Sequence, residues 1–173
     1  MGKCMGKEFN KVYENNKNAV YSYLYYMTRD IGDAEDLCQD TFLKIYKNLT
    51  NFRGECNERS WCITIARNTF LSWAKKKKPD ILEDKVMELI PVEGSNPEEV
   101  LLAREGSTYV KDILLKLKEE YRTIILLRDY EGLSYKEIGV ITGLSESAVK
   151  VQIYRAREKF KKLFNENQSS VRR

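Results

Sequence analysis

The stretch from Leu133 to Phe164 limits the fold of this chain more than any other, because it reads as two helices around a tight turn. Ser134 and Glu137 have the spacing of a capping box, in which a hydroxyl and a carboxylate each accept from the other residue's orphaned backbone N–H. A helix therefore starts there, with Ile138, Ile141 and Thr142 on one side. Gly143 is free to take the left-handed conformation that ends a helix, and Ser145 can cap the next one. On that second helix Val149, Ile153, Ala156, Phe160 and Leu163 recur at spacings of four and three, which gathers them into one buried stripe. The opposite face carries Ser147, Lys150, Val151, Tyr154 and Arg155, with Arg157, Lys159, Lys161 and Lys162 further along. Hydroxyl, aromatic and cationic groups in that mixture can read base edges and grip phosphates.

The competing explanation is an ordinary helical hairpin with a solvated basic face. Against it stands a conjunction: small Gly139 where the helices must approach, Gly143 in the turn, Val149 six residues on, and basic residues confined to the side away from the core. That is the layout of a helix-turn-helix, whose second helix enters the major groove.

The remaining chain is long enough for a second small domain. Of 173 residues, 42% are hydrophobic and 32% charged, with only three Pro and nine Gly, so helix is favoured throughout. The net charge of +4 is unevenly spread. Lys75 to Lys78 form a basic run, whereas the following stretch holds Asp80, Glu83, Asp84, Glu88, Glu93, Glu98, Glu99 and Glu105 against Lys85 and Arg104. There is no histidine, which removes most nucleophilic triads and most proton transfer near neutral pH, and no phosphate-binding glycine loop. Neither an enzyme nor a cofactor is expected. Cys4, Cys38, Cys56 and Cys62 lack the close paired spacing of a metal site, so free or buried thiols are expected and no metal. No apolar run is long enough to span a bilayer and no signal-peptide pattern is present, which predicts a cytoplasmic protein without membrane insertion.

Along the chain, Phe9, Val12, Tyr13, Val20, Tyr23, Leu24 and Met27 predict a long first helix ending near Arg29 and Asp30. Asp33 is the expected cap of a second helix, which turns Ala34, Leu37, Cys38, Thr41, Phe42, Ile45 and Leu49 inward. Its outer face, Glu35, Asp36, Gln39, Asp40 and Lys44, reads either as solvated or as a protein-docking surface. A polar loop from Asn51 to Ser60 precedes a helix expected from Trp61 to about Lys77, apolar through Cys62, Ile63, Ala66, Thr69, Phe70 and Trp73. Trp61, Thr64, Asn68, Ser72 and Lys75 form a separate stripe on that helix. It suits unstacked bases, which aromatic rings stack on and lysines hold by their phosphates; it equally suits a tryptophan at the core edge beside solvated lysines. Periodicity fades from Lys78 to Ser95 and restarts at Asn96-Pro97, marking a linker. Val110, Ile113, Leu114, Leu117, Tyr121, Ile124, Ile125 and Leu127 then supply the surface beneath the helix-turn-helix, a bundle of about four helices.

Three separated segments carry a family resemblance. They are Asp33-Ala34-Glu35-Asp36-Leu37-Cys38-Gln39-Asp40-Thr41-Phe42; Phe52-Arg53-Gly54 with Ser60-Trp61 and Ile65-Ala66-Arg67-Asn68; and Tyr121-Arg122 through Leu127-Arg128-Asp129-Tyr130-Glu131-Gly132-Leu133-Ser134-Tyr135-Lys136-Glu137-Ile138-Gly139. In this order they resemble bacterial RNA polymerase sigma factors of the extracytoplasmic-function branch, over nearly the whole chain.

The resemblance implies an all-α protein with a promoter-melting domain over 1–78, an acidic linker over 79–106 and a helix-turn-helix domain over 107–173. It implies a non-enzymatic initiation factor whose partners are core RNA polymerase, promoter DNA and an anti-sigma factor that is often membrane-bound. Asp36, Gln39, Asp40 and Phe42 are then expected to dock on the polymerase clamp. Phe52, Arg53, Asn57, Ser60, Trp61, Thr64, Asn68 and Lys75 are expected at the melted minus-10 element, where a base is flipped into the loop. Ser147, Lys150, Val151, Tyr154, Arg155 and Arg157 are expected on the duplex minus-35 element. Gly139 departs from the pattern, standing where the family usually has Ala, and Val151 stands where a small polar residue is frequent. A free-standing helix-turn-helix regulator, with N-terminal helices for dimerisation or effector binding, is the alternative; it needs no polymerase.

Overall fold

The computed structural model describes residues 2–77 and 110–171, with side chains for 6–77 and 110–166. The linker over 79–106, including its acidic run and the expected helix restart at Asn96-Pro97, lies outside the described residues.

Helix α1 runs Gly2–Thr28 and buries Val12, Val20, Tyr23, Leu24 and Met27 of the expected stripe, with Ala19 beside them, whereas Phe9 is half-buried and Tyr13 is exposed. It stops because Arg29 turns left-handed, with φ of 62°, while its N–H still reaches Tyr25 O at 3.0 Å. That conformation costs a non-glycine residue about 1 kcal/mol. It leaves Asp30 extended, and the Asp30 carboxylate accepts from the Asp33 N–H at 2.9 Å. Asp30, not the expected Asp33, therefore caps α2 (Ile31–Asn48). Asp33 sits in the first turn and pairs with Lys77 at 2.8 Å. Inward on α2 are Ala34, Leu37, Thr41, Phe42 and Ile45, with Cys38 and Leu49 half-buried.

A 3₁₀ turn (Leu49–Asn51) leads into a loop over 52–57, and α3 spans Glu58–Lys77. This helix begins three residues before the expected Trp61. The signal was Asn57, whose side-chain oxygen accepts from the Arg59 N–H at 2.9 Å and serves as the cap. Cys62, Ile63, Ala66, Thr69 and Phe70 are buried between α1 and α2, and burial pushes the Cys62 thiol up to about 12.

The C-terminal unit begins with α4, helical over 110–116, followed by α5 (Glu119–Ile125). A π-helical turn (Leu126–Tyr130) continues α5, its wider winding closed by the Glu131 N–H on Leu126 O at 2.9 Å. Helices α6 (Tyr135–Thr142) and α7 (Glu146–Val171) complete it. Ile113, Leu117, Leu127, Ile138 and Val149 are wholly or almost wholly buried here, each contributing on the order of 1.5–3 kcal/mol.

The two units share a seam, with α1 against α5 and α3 against α6. Across it the Thr123 hydroxyl donates to the Met27 sulfur at 3.6 Å and Tyr26 meets the Tyr130 ring edge-on at 6.1 Å.

Candidate nucleic-acid interface

The helix-turn-helix is built from local chemistry. The Glu137 N–H donates to Ser134 Oγ at 3.2 Å and the Ser134 N–H to Glu137 Oε2 at 2.8 Å, closing the capping box. Hydrogen bonds from the Ser134 side chain, then its backbone, hold the Glu137 carboxyl below the usual carboxylate range. Gly143 is left-handed at φ 75° and its N–H reaches Gly139 O at 2.8 Å. Gly139 is small for a reason: a β-carbon there would lie 2.7 Å from Leu144 O. Ser145 Oγ accepts from the Ala148 N–H at 3.2 Å and caps α7.

On α7 the expected stripe packs inward, with Val149, Ile153 and Ala156 buried and Phe160 and Leu163 half-buried. Ser147, Lys150, Val151, Tyr154, Arg155 and Arg157 are all exposed, Tyr154 by 68% and Val151 by 47%. An aromatic and an aliphatic side chain standing in solvent between cations is a surface suited to base methyls and phosphates together. Arg157 differs from its neighbours in being ion-paired with Asp129, its Nε donating to Oδ2 at 3.2 Å, which ties α7 to the π-helical turn.

The second set of residues runs along α3 from its first turns, where Trp61 stands, to its last turn, where Lys75 stands. Phe52 comes off the loop and stacks on Trp61, ring centroids 4.5 Å apart and 22° from parallel. Asn68 and Lys75 are exposed in line with it, as is Arg53 on the loop. Thr64 and Ser72 donate their hydroxyls to carbonyls one turn back, Ser60 O at 2.7 Å and Asn68 O at 2.9 Å, leaving each an acceptor only. Ser60 is buried: its hydroxyl meets Glu137 Oε1 at 3.3 Å across the seam.

A third face lies on α2. Asp36, Gln39 and Asp40 are exposed side by side, whereas Phe42 is buried under the rings of Phe9 and Tyr13. Phe42 shapes this face from beneath; Leu43 and Tyr46 are the exposed hydrophobics beside it.

Sequence reasoning assigned no role to Arg122, Arg59 or Glu131. Arg122 is almost fully buried, and its guanidinium donates to Leu114 O, Leu115 O and Leu117 O at 2.8–3.0 Å and to Tyr26 O at 3.2 Å. Burial, then the nearby Arg29, pushes it down to about 10, so it stays charged near neutrality. Arg59 pairs with Glu131 across the seam at 3.3 Å. The one available signal was an arginine among the apolar residues Tyr121, Ile124 and Ile125, a charge on a buried face.

Comparison with known proteins agrees with this architecture. Sigma-70 region 2 matches residues 12–79 and sigma-70 region 4 matches residues 107–160. The RNA polymerase sigma factor YlaC of Bacillus subtilis (strain 168) is 32% identical over 167 residues, spanning 93% of this chain and 94% of that protein. The ECF RNA polymerase sigma factor SigW of the same strain is 31% identical over 163 residues, spanning 89% and 87%. The sigma factor RpoE, solved in complex with the anti-sigma factor NepR from Bartonella quintana, shares the fold with a TM-score of 0.75 at 24% identity, over 92% of this chain and 98% of that one. CnrH, solved with the cytosolic domain of CnrY, gives 0.67 at 24% identity, over 93% and 90%.

This chain belongs to the sigma-70 family, in its extracytoplasmic-function branch. It is a sigma factor, directing RNA polymerase to promoters, and the match to both region 2 and region 4 does not favour a free-standing regulator. Among the described residues no helix is long and apolar enough to cross a membrane.

Proposed function

We propose the following division of labour among the residues of this sigma factor. Asp36, Gln39 and Asp40, on a face backed by Phe42, dock on core polymerase. The loop carrying Phe52, Arg53 and Asn57, with Ser60, Trp61, Thr64, Asn68 and Lys75 on α3, captures the unpaired strand of the minus-10 element. Unpairing and flipping a base costs a few kcal/mol, offset by stacking on the aromatic pair and by hydrogen bonds. Ser147, Lys150, Val151, Tyr154, Arg155 and Arg157 read the minus-35 duplex from α7. The domains divide as 1–78 and 107–173, with 79–106 as the linker between them. The polymerase performs the nucleotidyl transfer and this chain catalyses nothing; it works in the cytoplasm. Its controlling partner is an anti-sigma factor, a reading supported by the complex in which the sigma factor RpoE was solved with the anti-sigma factor NepR.

The observation that carries this reading is the segregation on α7, where three residues of the apolar stripe are buried and every assigned reading residue is exposed. The test is run-off transcription from a fragmented genomic library, with core polymerase alone and with the protein added. Discrete new transcripts sharing paired upstream elements are expected. Failure to direct any transcript, together with polymerase-independent binding to palindromic DNA, would overturn the assignment.

A further inference from the structure

A carboxylate stands at the edge of the face assigned to duplex DNA, where phosphate would repel it. Asp129 accepts from Arg157 twice, from Nε through Oδ2 at 3.2 Å and from Nη2 through Oδ1. The arginine and aspartate side chains are 53% and 37% exposed, and an ion pair that open to solvent adds little to stability because water screens it. What a two-point contact does fix is direction. Asp129 lies in the π-helical turn (Leu126–Tyr130), in which Leu126 and Leu127 are buried. Arg128 of the same turn donates from Nη1 to Leu133 O at 2.7 Å and lies over the Tyr135 ring, 4.9 Å from its centroid. The carboxylate therefore sits on a clamped element and holds a flexible arginine.

A guanidinium carries its N–H donors in a rigid planar fork. Asp129 takes the donor on Nε and one on Nη2, which leaves those on Nη1 and the second on Nη2. That free end is an edge that matches two phosphate oxygens. Arg157 follows Lys150 by seven residues, which at about 100° per residue brings it back to within about 20° of the same face, roughly 10 Å further along the axis. In a recognition helix the N-terminal residues meet base edges. A cation two turns beyond them faces the sugar-phosphate backbone as the helix leaves the groove.

With the exposed face of α7 assigned to the minus-35 element, on which this rests, we propose that Asp129 is a positioning residue for minus-35 binding: it holds one edge of Arg157 so that the other edge is presented to a phosphate of the duplex. This role reverses the sign that simple electrostatics gives to removing an acid from a DNA-binding surface. A carboxylate that only repelled phosphate would, when removed, tighten binding to any duplex. One that aims an arginine would, when removed, loosen it.

The test uses holoenzyme assembled from core polymerase and the full chain, on a promoter fragment recovered from the genomic library. Affinity for the minus-35 element is read by quantitative footprinting across a range of salt, because each phosphate contact contributes about 0.9 to the slope of log affinity on log salt. Arg157→Ala and Asp129→Ala are each expected to weaken binding about fivefold and to lower that slope by about 1. The double variant D129A/R157A should lose no more than R157A alone. Asp129→Asn, which keeps the volume and one acceptor, should lose less than Asp129→Ala. Unfolding midpoints of the free variants should stay near that of wild type, as the exposure of the pair requires.

Unchanged or tighter binding by D129A would overturn the proposal, as would losses in D129A and R157A that add in the double variant. A lower unfolding midpoint with an unaltered salt slope would make the pair structural, and that too would overturn it. If Lys150→Ala and Arg155→Ala also left the minus-35 footprint unchanged, the assignment of α7 itself would fail. A loss in those two variants with none in D129A confines the failure to Asp129.

Discussion

The two surfaces proposed to face DNA in this sigma factor stand at opposite degrees of readiness. On α7 the assigned readers project into solvent from a helix anchored by Val149, Ile153 and Ala156. At the start of α3, Trp61 is stacked on Phe52, Asn57 caps its own helix, and Ser60 is covered by α6. The difference follows from the two substrates. A duplex offers its major-groove edges without being disturbed, so its reader can be a rigid preformed face. An unpaired strand exists only after the duplex opens, so its receptor has nothing to hold beforehand and its polar groups take partners within the protein, as buried polar groups must.

The largest way to break this contrast is at Arg122, which serves both units. Arg122→Ala would strand the carbonyls of Leu114, Leu115 and Leu117 within the C-terminal domain and Tyr26 O across the seam. Charged hydrogen bonds to buried acceptors are individually worth about 1.5–3 kcal/mol and are not additive, so a loss of about 3 kcal/mol is expected in urea unfolding. A loss below about 1 kcal/mol would show that water replaces the guanidinium.

Next in size are the contacts themselves, and here the two surfaces should separate cleanly. Lys150→Ala or Arg155→Ala should cost about 1–3 kcal/mol of minus-35 affinity in footprinting while leaving oligonucleotide binding by the loop intact. Trp61→Ala should do the reverse: duplex binding holds, and the loss of about 1–3 kcal/mol of base stacking appears as reduced permanganate reactivity of thymines in the opened region. If either variant impaired both readouts equally, the surfaces would not be independent.

What was legible in the sequence follows the same division. The capping box at Ser134 and Glu137, the left-handed Gly143 and the α7 stripe are local, written within one or two turns, and the structure has each of them. The α2 cap was misassigned to Asp33 because a left-handed arginine at position 29 moved the helix start, and nothing in local propensity favours that conformation for arginine. The pairing of Ser60 with Glu137 joins residues 77 apart, and Arg122 reaches Tyr26 across 96. No periodicity reports contacts at that range. Phe42 shows the limit differently: its position in the motif and its inward phase were both readable, and only packing showed that it lies beneath the face proposed for docking, against Phe9 and Tyr13.

A smaller effect sharpens the duplex side alone. Gly139 sits where Ala would be the better helix former by about 1 kcal/mol, yet the added carbon would meet the Leu144 carbonyl. Overpacking against backbone costs about 1–3 kcal/mol. Gly139→Ala should therefore destabilise the chain by about 1 kcal/mol net in thermal unfolding and lower minus-35 affinity through the tilt of α7. Stabilisation instead would show that the turn relaxes freely.

The smallest prediction concerns pH, and it sets the two seam carboxylates against each other. Glu137 is held below its ordinary value by Ser134, so its contribution to stability is complete above the usual carboxylate pKa and is lost as pH falls through its lowered folded value. Glu131 is pushed up by burial, with Arg59 pulling it back. Its contribution runs the other way, present at low pH and declining as pH rises through the raised folded value. Urea unfolding of wild type, E137Q and E131Q across the acidic range should then show slopes altered in opposite senses by the two substitutions. Equal slopes in both variants would mean that Glu131 is solvated in the free chain, that the seam is open there, and that the strand receptor is as ready as the duplex reader.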